Sequence, residues 1–543
     1  MTRALAKSKG LALASLLSWI PLPHALAQDD GAKPEISVED LESAFSIAGL
    51  EMTEDERRMM LRSVRGHLRD FERLRGLELR NDEPLSLRFE PRAAVGSPTL
   101  PGEPLMVVDV DRPETDEDLA FASIRELAGM VRSRSISCLE LCDFFLARLE
   151  SLDPQLECVI QTTPERARAR ARELDTLLDE GVWLGPLHGI PYGAKDLLKA
   201  EGAPTTWGAA PYREQELQGD AAVVRQLDRA GAVLIAKLSL GALAMGDVWF
   251  GGRTNNPWKL DQGSSGSSAG SASATAAGCV PFAIGSETLG SILSPSARCG
   301  VTGLRPTFGS IDTDGAMVLS WSMDKLGPIG RRAEDTALVF EALQNPVARA
   351  QRAFRTTSGP VDTMRVGVLD QAFADDDPFL DELRGLGCEL VPFEAPEFPT
   401  QALLFVLTAE AAAAFDDLTR NDQDDLLRRQ GRGAWPNILR TARLIPAVEY
   451  LQAQRLRVRL MDAWEDAFAK ADVSVFVHPI GPTLADTNLC GQPSISAPRG
   501  VTEAGTRGAV GFTARNYHED VLLRLVQAWQ DATEHDELRP KLR

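Results

Sequence analysis

Apolar residues recur at helical spacing near the start of the chain. Met60, Val64, Leu68 and Phe71 stand three to four residues apart and so share one face of a predicted helix. Ser37 with Asp40, and Thr53 with Glu56, have the spacing of N-terminal capping boxes, and Gly49 and Gly76 punctuate the ends. Residues 28–76 therefore read as a helical arm. Its apolar stripe suits packing on the main body or pairing with a second copy as a homodimer, and both readings stay open. Residues 77–118 carry Pro84, Pro91, Pro98, Pro101, Pro104 and Pro113 and read as a linker.

Beyond the linker the period changes. Ser123 with Glu126 and Ser137 with Glu140 cap two helices. Helical stretches then alternate with short apolar runs at 190–194, 233–236, 282–284, 366–369 and 473–477. Strands interleaved with helices predict one large α/β domain over 119–543, with a mixed central sheet flanked by helices. The helix-rich span 401–470 has the pattern of a cap over a pocket.

Residues 1–27 hold Arg3, Lys7 and Lys9, an apolar run at 11–20, and Ala25-Leu26-Ala27 before Gln28. That order predicts a cleaved signal peptide and export to the periplasm or medium. The apolar run is too short for a membrane span, which needs about 20 residues. Without the leader, 78 acidic residues face 55 basic ones. Such an acid excess argues against nucleic acid as a partner. Seven cysteines include Cys138 and Cys142 at i,i+4, a spacing too wide for a disulfide. Buried small hydrophobes are the better reading for most of them. No zinc spacing, HExxH or phosphate-binding glycine loop occurs.

One segment is compositionally unusual. Residues 263–300 are nearly all Gly, Ser, Ala and Thr in their first half, then run without a break into a strand-like stretch and a second Gly/Ser turn. Small residues let backbones approach closely, which helps where N–H groups must converge on a substrate oxygen. A serine nucleophile needs a base. Only His188, His478 and His518 lie away from the arm and the termini. Gly266-Ser267-Ser268-Ala269-Gly270 fits the GxSxG turn of α/β-hydrolases, but 255–265 does not read as the strand that turn requires. Ser322-x-x-Lys325 stands without the motifs that normally accompany it.

The segment resembles the signature block of the amidase signature hydrolases, a family that includes amidases and the A subunit of tRNA-dependent amidotransferases. In that family a bridging serine, preceded by a cis peptide bond, sits in a Gly-Gly-Ser-Ser-like tract. The nucleophile follows 24 residues later in an Asp-x-Gly-Gly-Ser-like turn, and the base is the lysine of Gly-[IV]-Pro-x-x-x-Lys-Asp. Here Ser267 and Ser291 are 24 residues apart, Ser291 ends Glu287-Thr288-Leu289-Gly290-Ser291, and Lys195 lies in Gly189-Ile190-Pro191-Tyr192-Gly193-Ala194-Lys195-Asp196. Asn256-Pro257-Trp258, Gly303-Leu304-Arg305-Pro306-Thr307 and Gly491-Gln492-Pro493 extend the likeness over roughly 119–540.

The resemblance implies a Lys195–Ser267–Ser291 triad, with backbone N–H groups of Thr288, Leu289, Gly290 and Ser291 as the oxyanion hole. It implies hydrolysis of a small-molecule carboxamide through an acyl-enzyme, with no metal or organic cofactor. The alternative it leaves open is the amidotransferase A subunit, which works with tRNA and a partner subunit. The predicted leader and acid excess favour the exported amidase. Lys237 is the rival base, but no Asp follows it. Two positions depart from the family pattern. Leu289 replaces a glycine, and Leu293 stands where many members place an arginine. Met245, Trp249 and Phe250 are candidates for the acyl pocket or, equally, for core packing.

Overall fold

The computed structural model of the chain describes residues 36–76, 80–83, 87, 89–91, 102–502 and 504–542. The expected leader, residues 1–27, lies outside them. The chain divides into two compact units, Met1–Glu78 and Leu79–Arg543. In the first, α1 (Val38–Ile47) and α2 (Glu54–Arg75) each begin with a complete capping box. No helix among the described residues is long and apolar enough to cross a membrane.

In the second unit, α3 (Ile124–Arg132) and α4 (Cys138–Leu156) start at Ser123 and Ser137, again with complete capping boxes. Five further helices bear on the site: α5 (Ala269–Ala276), α6 (Leu293–Cys299), α7 (Phe405–Ala414), α8 (Ala447–Ala471) and α9 (Leu484–Leu489). All seven cysteines are buried and unpaired.

An eleven-stranded sheet forms the centre. Its strands, in chain order, are β1 (Val159–Thr162), β2 (Pro191–Lys195), β3 (Val233–Leu238), β4 (Phe282–Glu287), β5 (Thr302–Arg305), β6 (Lys325–Gly330), β7 (Arg365–Leu369), β8 (Glu389–Phe393), β9 (Val475–His478), β10 (Ser494–Val501) and β11 (Arg507–Ala514). The spatial order is β8-β7-β9-β11-β10-β5-β6-β4-β2-β3-β1. The pairs β2–β3, β2–β4, β7–β8 and β7–β9 are parallel and the rest antiparallel, so the sheet is mixed. Its central strands are buried along their whole length, which explains their runs of apolar and small residues, interrupted by Lys237 in β3 and ended by Glu287 in β4. The β2–β3 register shifts between Tyr192 and Gly193, so that Ala194 lies opposite Lys237 and Lys195 opposite Leu238.

Residues read from the sequence as linker make specific contacts. Asn81 Nδ2 donates to Val318 O (3.0 Å) and Ala414 O (3.1 Å), and its Oδ1 accepts from Val318 N (2.7 Å). Phe89 packs edge-on against Phe308, and the Arg457 guanidinium lies 3.6 Å from the centre of the Phe89 ring.

Candidate active site

Lys195 is the last residue of β2 and is completely buried. Its Nζ lies 2.8 Å from Ser267 Oγ, 2.8 Å from Ser286 Oγ, 3.1 Å from Ser268 Oγ and 3.4 Å from Ser286 O. No carboxylate is within ion-pair distance of it among the described residues. Burial pushes its pKa down to about 7, with Asp324 and Glu287 pulling weakly the other way. A neutral lysine has one lone pair and two N–H bonds. Ser267 can therefore donate to Nζ while the two N–H groups point at Ser286 and Ser268.

Lys237, the rival, ends up differently. Its Nζ forms a buried ion pair with Asp196 Oδ1 at 2.6 Å and also donates to Thr205 Oγ1 and Pro204 O. Asp196 further accepts from Thr206 N and Oγ1. Lys237 is committed to a structural ion pair.

The small residues of 263–270 have a packing reason. A Cβ on Gly266 would fall 1.9 Å from Gly246 O, and one on Gly270 would fall 2.4 Å from Cys158 O. The Gly266-Ser267 peptide bond is cis. Ser268 is fully buried, accepts from Ser286 N and donates to Ser286 O. Among the described residues no histidine bonds Ser268. His188 bonds Leu174 O, and His478 bonds Thr513 and Pro479. A short strand pair, Asn255–Asn256 with Lys259–Gly263, does precede the GxSxG match, where the sequence suggested no strand. It is a hairpin outside the central sheet, and a nucleophile elbow has neither its strand nor its base here.

Ser291 lies four residues past the end of β4. Its backbone carbonyl accepts from Ser268 N at 3.0 Å, which ties the turn to the serine tract. Among the described residues the Ser291 hydroxyl has no hydrogen-bond partner. The structure thus brings Lys195 to Ser267, while the hydrogen bond from Ser267 to Ser291 is not formed. The backbone N–H groups of Leu289, Gly290 and Ser291 likewise have no acceptor among the described residues. Gly290 has φ +84°, a conformation that a side chain would strain. Leu289 is not among the positive-φ residues, so its side chain costs the turn nothing.

Glu287, the last residue of β4, holds this turn. Its Oε2 accepts from Ile292 N (2.8 Å) and Leu293 N (3.0 Å). Its Oε1 accepts from Arg305 Nη1 (2.7 Å) and Asn488 Nδ2 (2.9 Å). Burial raises its pKa, but the Arg305 charge, the Leu293 N–H and Asn488 outweigh that, and the net shift is downward. The pair is fully buried. Arg305→Met is expected to cost about 3–5 kcal/mol, because it strands a buried carboxylate. The check is a urea unfolding midpoint, and an unchanged midpoint would contradict this account of the turn.

Thr288 Oγ1 donates to Asp324 Oδ1 at 2.6 Å, and Asp324 Oδ2 accepts from Leu319 N and Ser320 N. Burial holds the Asp324 carboxyl above its ordinary range. Glu287, Arg305, Ser286 and Asp324 all serve the site. The sequence assigns none of them a part, because nothing in a single sequence marks a buried carboxylate that grips a loop. Lys325 is buried and its Nζ donates to Met323 O, and among the described residues no hydrogen bond joins it to Ser322, so the Ser-x-x-Lys match builds no site. Trp249 is buried, while Met245 and Phe250 are half-buried.

Residues 140–487 match the family model named Amidase. The chain is 32% identical over 473 residues to the A subunit of glutamyl-tRNA(Gln) amidotransferase from Methylococcus capsulatus, covering 76% of this chain and 97% of that one. It is 31% identical over 481 residues to the protein of the same name from Bacillus velezensis, covering 77% and 99%. The crystal structure of the native peptide amidase of Stenotrophomonas maltophilia superposes with a TM-score of 0.67 at 27% identity, over 77% of this chain and 98% of the other. The relatives correct the expectation of export. They are subunits for a tRNA substrate, and tRNA is found inside the cell, so a basic-then-apolar N-terminus was insufficient ground for an exported location.

Proposed function

This chain belongs to the amidase family, and from that premise we propose that its amide-cleaving chemistry runs through Lys195, Ser267 and Ser291. The observation that carries the reading is a fully buried lysine 2.8 Å from Ser267, with no carboxylate in ion-pair distance among the described residues. With an amide bound, Ser267 closes on Ser291 and the relay connects, in keeping with catalytic hydrogen bonds that are long in empty sites. Neutral Lys195 takes the Ser267 proton as Ser267 takes that of Ser291. Ser291 Oγ bonds the carbonyl carbon, and N–H groups of the 288–291 turn stabilise the oxyanion. The proton returns along the relay to the leaving nitrogen as the C–N bond breaks. Water then attacks the acyl ester under the same base, releasing carboxylate and restoring Ser291.

The base must be neutral, and its pKa is about 7. We expect kcat/KM to fall about tenfold per pH unit below roughly pH 6 and to level off above about pH 8. A profile that stays flat down to about pH 5 would remove Lys195 as the base.

A second reading has its own support. The A subunits of the amidotransferases are matched over nearly their whole length. In that role the same site would release ammonia from glutamine for a partner protein. Assaying the purified chain alone against aliphatic, aryl and peptide amides and L-glutamine separates the two. Turnover of simple amides without a partner supports the amidase. Glutamine turnover that appears only with a co-purifying partner supports the amidotransferase.

A further inference from the structure

Helices α7 and α8 belong to the helix-rich span 401–470 and stand apart in sequence from every residue of the proposed triad. Each nevertheless sends a buried polar group to one short loop, residues 319–324, that leads into β6. Glu410 on α7 is 3% exposed. Its Oε2 accepts from Ser320 Oγ (2.7 Å) and Ser322 N (3.0 Å), and its Oε1 from Ser322 Oγ (2.8 Å). From α8, Tyr450 OH (2.7 Å) and Gln454 Nε2 (3.3 Å) donate to the same Oε1. Arg457, also on α8, donates to Ser322 Oγ (2.9 Å), Ser322 O (2.8 Å) and Leu489 O (2.6 Å).

Both ends of this network finish at the nucleophile turn. On one side Ser320 N donates to Asp324, which accepts the Thr288 hydroxyl. On the other, Leu489 closes α9, whose Asn488 holds Glu287. A buried carboxylate is costly unless its oxygens are hydrogen-bonded, and Glu410 accepts from five donors. Those donors also fix its position to within hydrogen-bond tolerance. Oxyanion donors act only when aimed at the place where charge develops, so a small tilt of the turn costs rate rather than substrate affinity.

We propose that Glu410 is a positioning residue for the 288–291 turn. It aligns the turn through residues 320–324 and Thr288, and so couples the helical cap to the chemistry. This rests on the reading of that turn as the oxyanion site. Displacing α7 or α8 then misaims the donors.

The test is Glu410→Gln, which keeps the volume but turns an amide N–H₂ toward groups that are themselves donors. With an amide that the wild-type chain hydrolyses, kcat should fall ten- to a hundredfold with KM within about twofold. Affinity for a boronic acid, which forms a tetrahedral adduct on the nucleophile, should fall in parallel, while a competitive ground-state inhibitor binds as before. The double variant with Thr288→Val should lose little more than the worse single variant, since both act along one path. If Glu410→Gln does not fold, Tyr450→Phe decides, with a several-fold fall in kcat of the same character. Unchanged kcat in a folded variant, additive losses, or equal loss of boronate and ground-state binding would each overturn the proposal. Retained turnover in a Ser291→Ala variant would instead fall on the catalytic reading itself.

Discussion

Ser291→Ala is expected to lower kcat on any turned-over amide by about 10⁴–10⁶-fold, the range found when a serine nucleophile is removed. Fold and stability should be unchanged, because the Ser291 hydroxyl has no hydrogen-bond partner among the described residues, while the backbone carbonyl that anchors the turn to Ser268 remains. The check pairs steady-state rates with a thermal melt. A serine-directed phosphonate should modify wild type at Ser291 and leave the variant unmodified. Labelling at Ser268 would contradict its burial and its bonds to Ser286. Turnover within about tenfold of wild type would remove Ser291 from the mechanism.

Lys195→Ala should cost about 10³–10⁵-fold in kcat, since Ser267 and Ser291 would both lose their only base. Residual activity should also lose the step near pH 7, because no other group in contact with Ser267 titrates there. The variant reports on the base only if it folds. Removing Lys195 leaves Ser267, Ser268 and Ser286 facing a void, so a melt must accompany the pH–rate profile. A folded variant that keeps the wild-type profile would move the role of base elsewhere. The rates separate Lys195 from Lys237. Lys237 is ion-paired to Asp196, and its loss should show as instability rather than as a changed pH profile.

The sequence carried some elements plainly. The four capping boxes use side chains three residues apart, so local chemistry alone specifies them. β2, β3, β4, β7 and β9 announce themselves as apolar runs because both faces of those strands are buried. β6 and β10 do not. Lys-Leu-Gly-Pro-Ile-Gly and Ser-Ile-Ser-Ala-Pro-Arg-Gly-Val hold residues that disfavour strands, and only their neighbours in the sheet keep them extended. Lys195, Ser267 and Ser291 are proposed from spacing against a known pattern, and of these the structure brings Lys195 to Ser267. Their supports were not legible in the sequence, because Glu287, Arg305, Asp324 and Glu410 meet only when strands and helices far apart in sequence come together.

The shift of register between Tyr192 and Gly193 has a consequence for which lysine is reactive. Paired residues on neighbouring strands project to the same side of a sheet, and successive residues to opposite sides. With Ala194 opposite Lys237, the two lysines project to opposite sides, Lys237 toward Asp196 and Lys195 toward the serines. In an unbroken ladder Lys195 would sit beside Lys237, two ammonium groups would share one dry compartment, and one carboxylate would serve both. The extra residue in β3 works as a phase selector. It sets one lysine against a carboxylate and the other against serines, and so divides two chemically identical side chains into an ion-paired one and the one proposed as base.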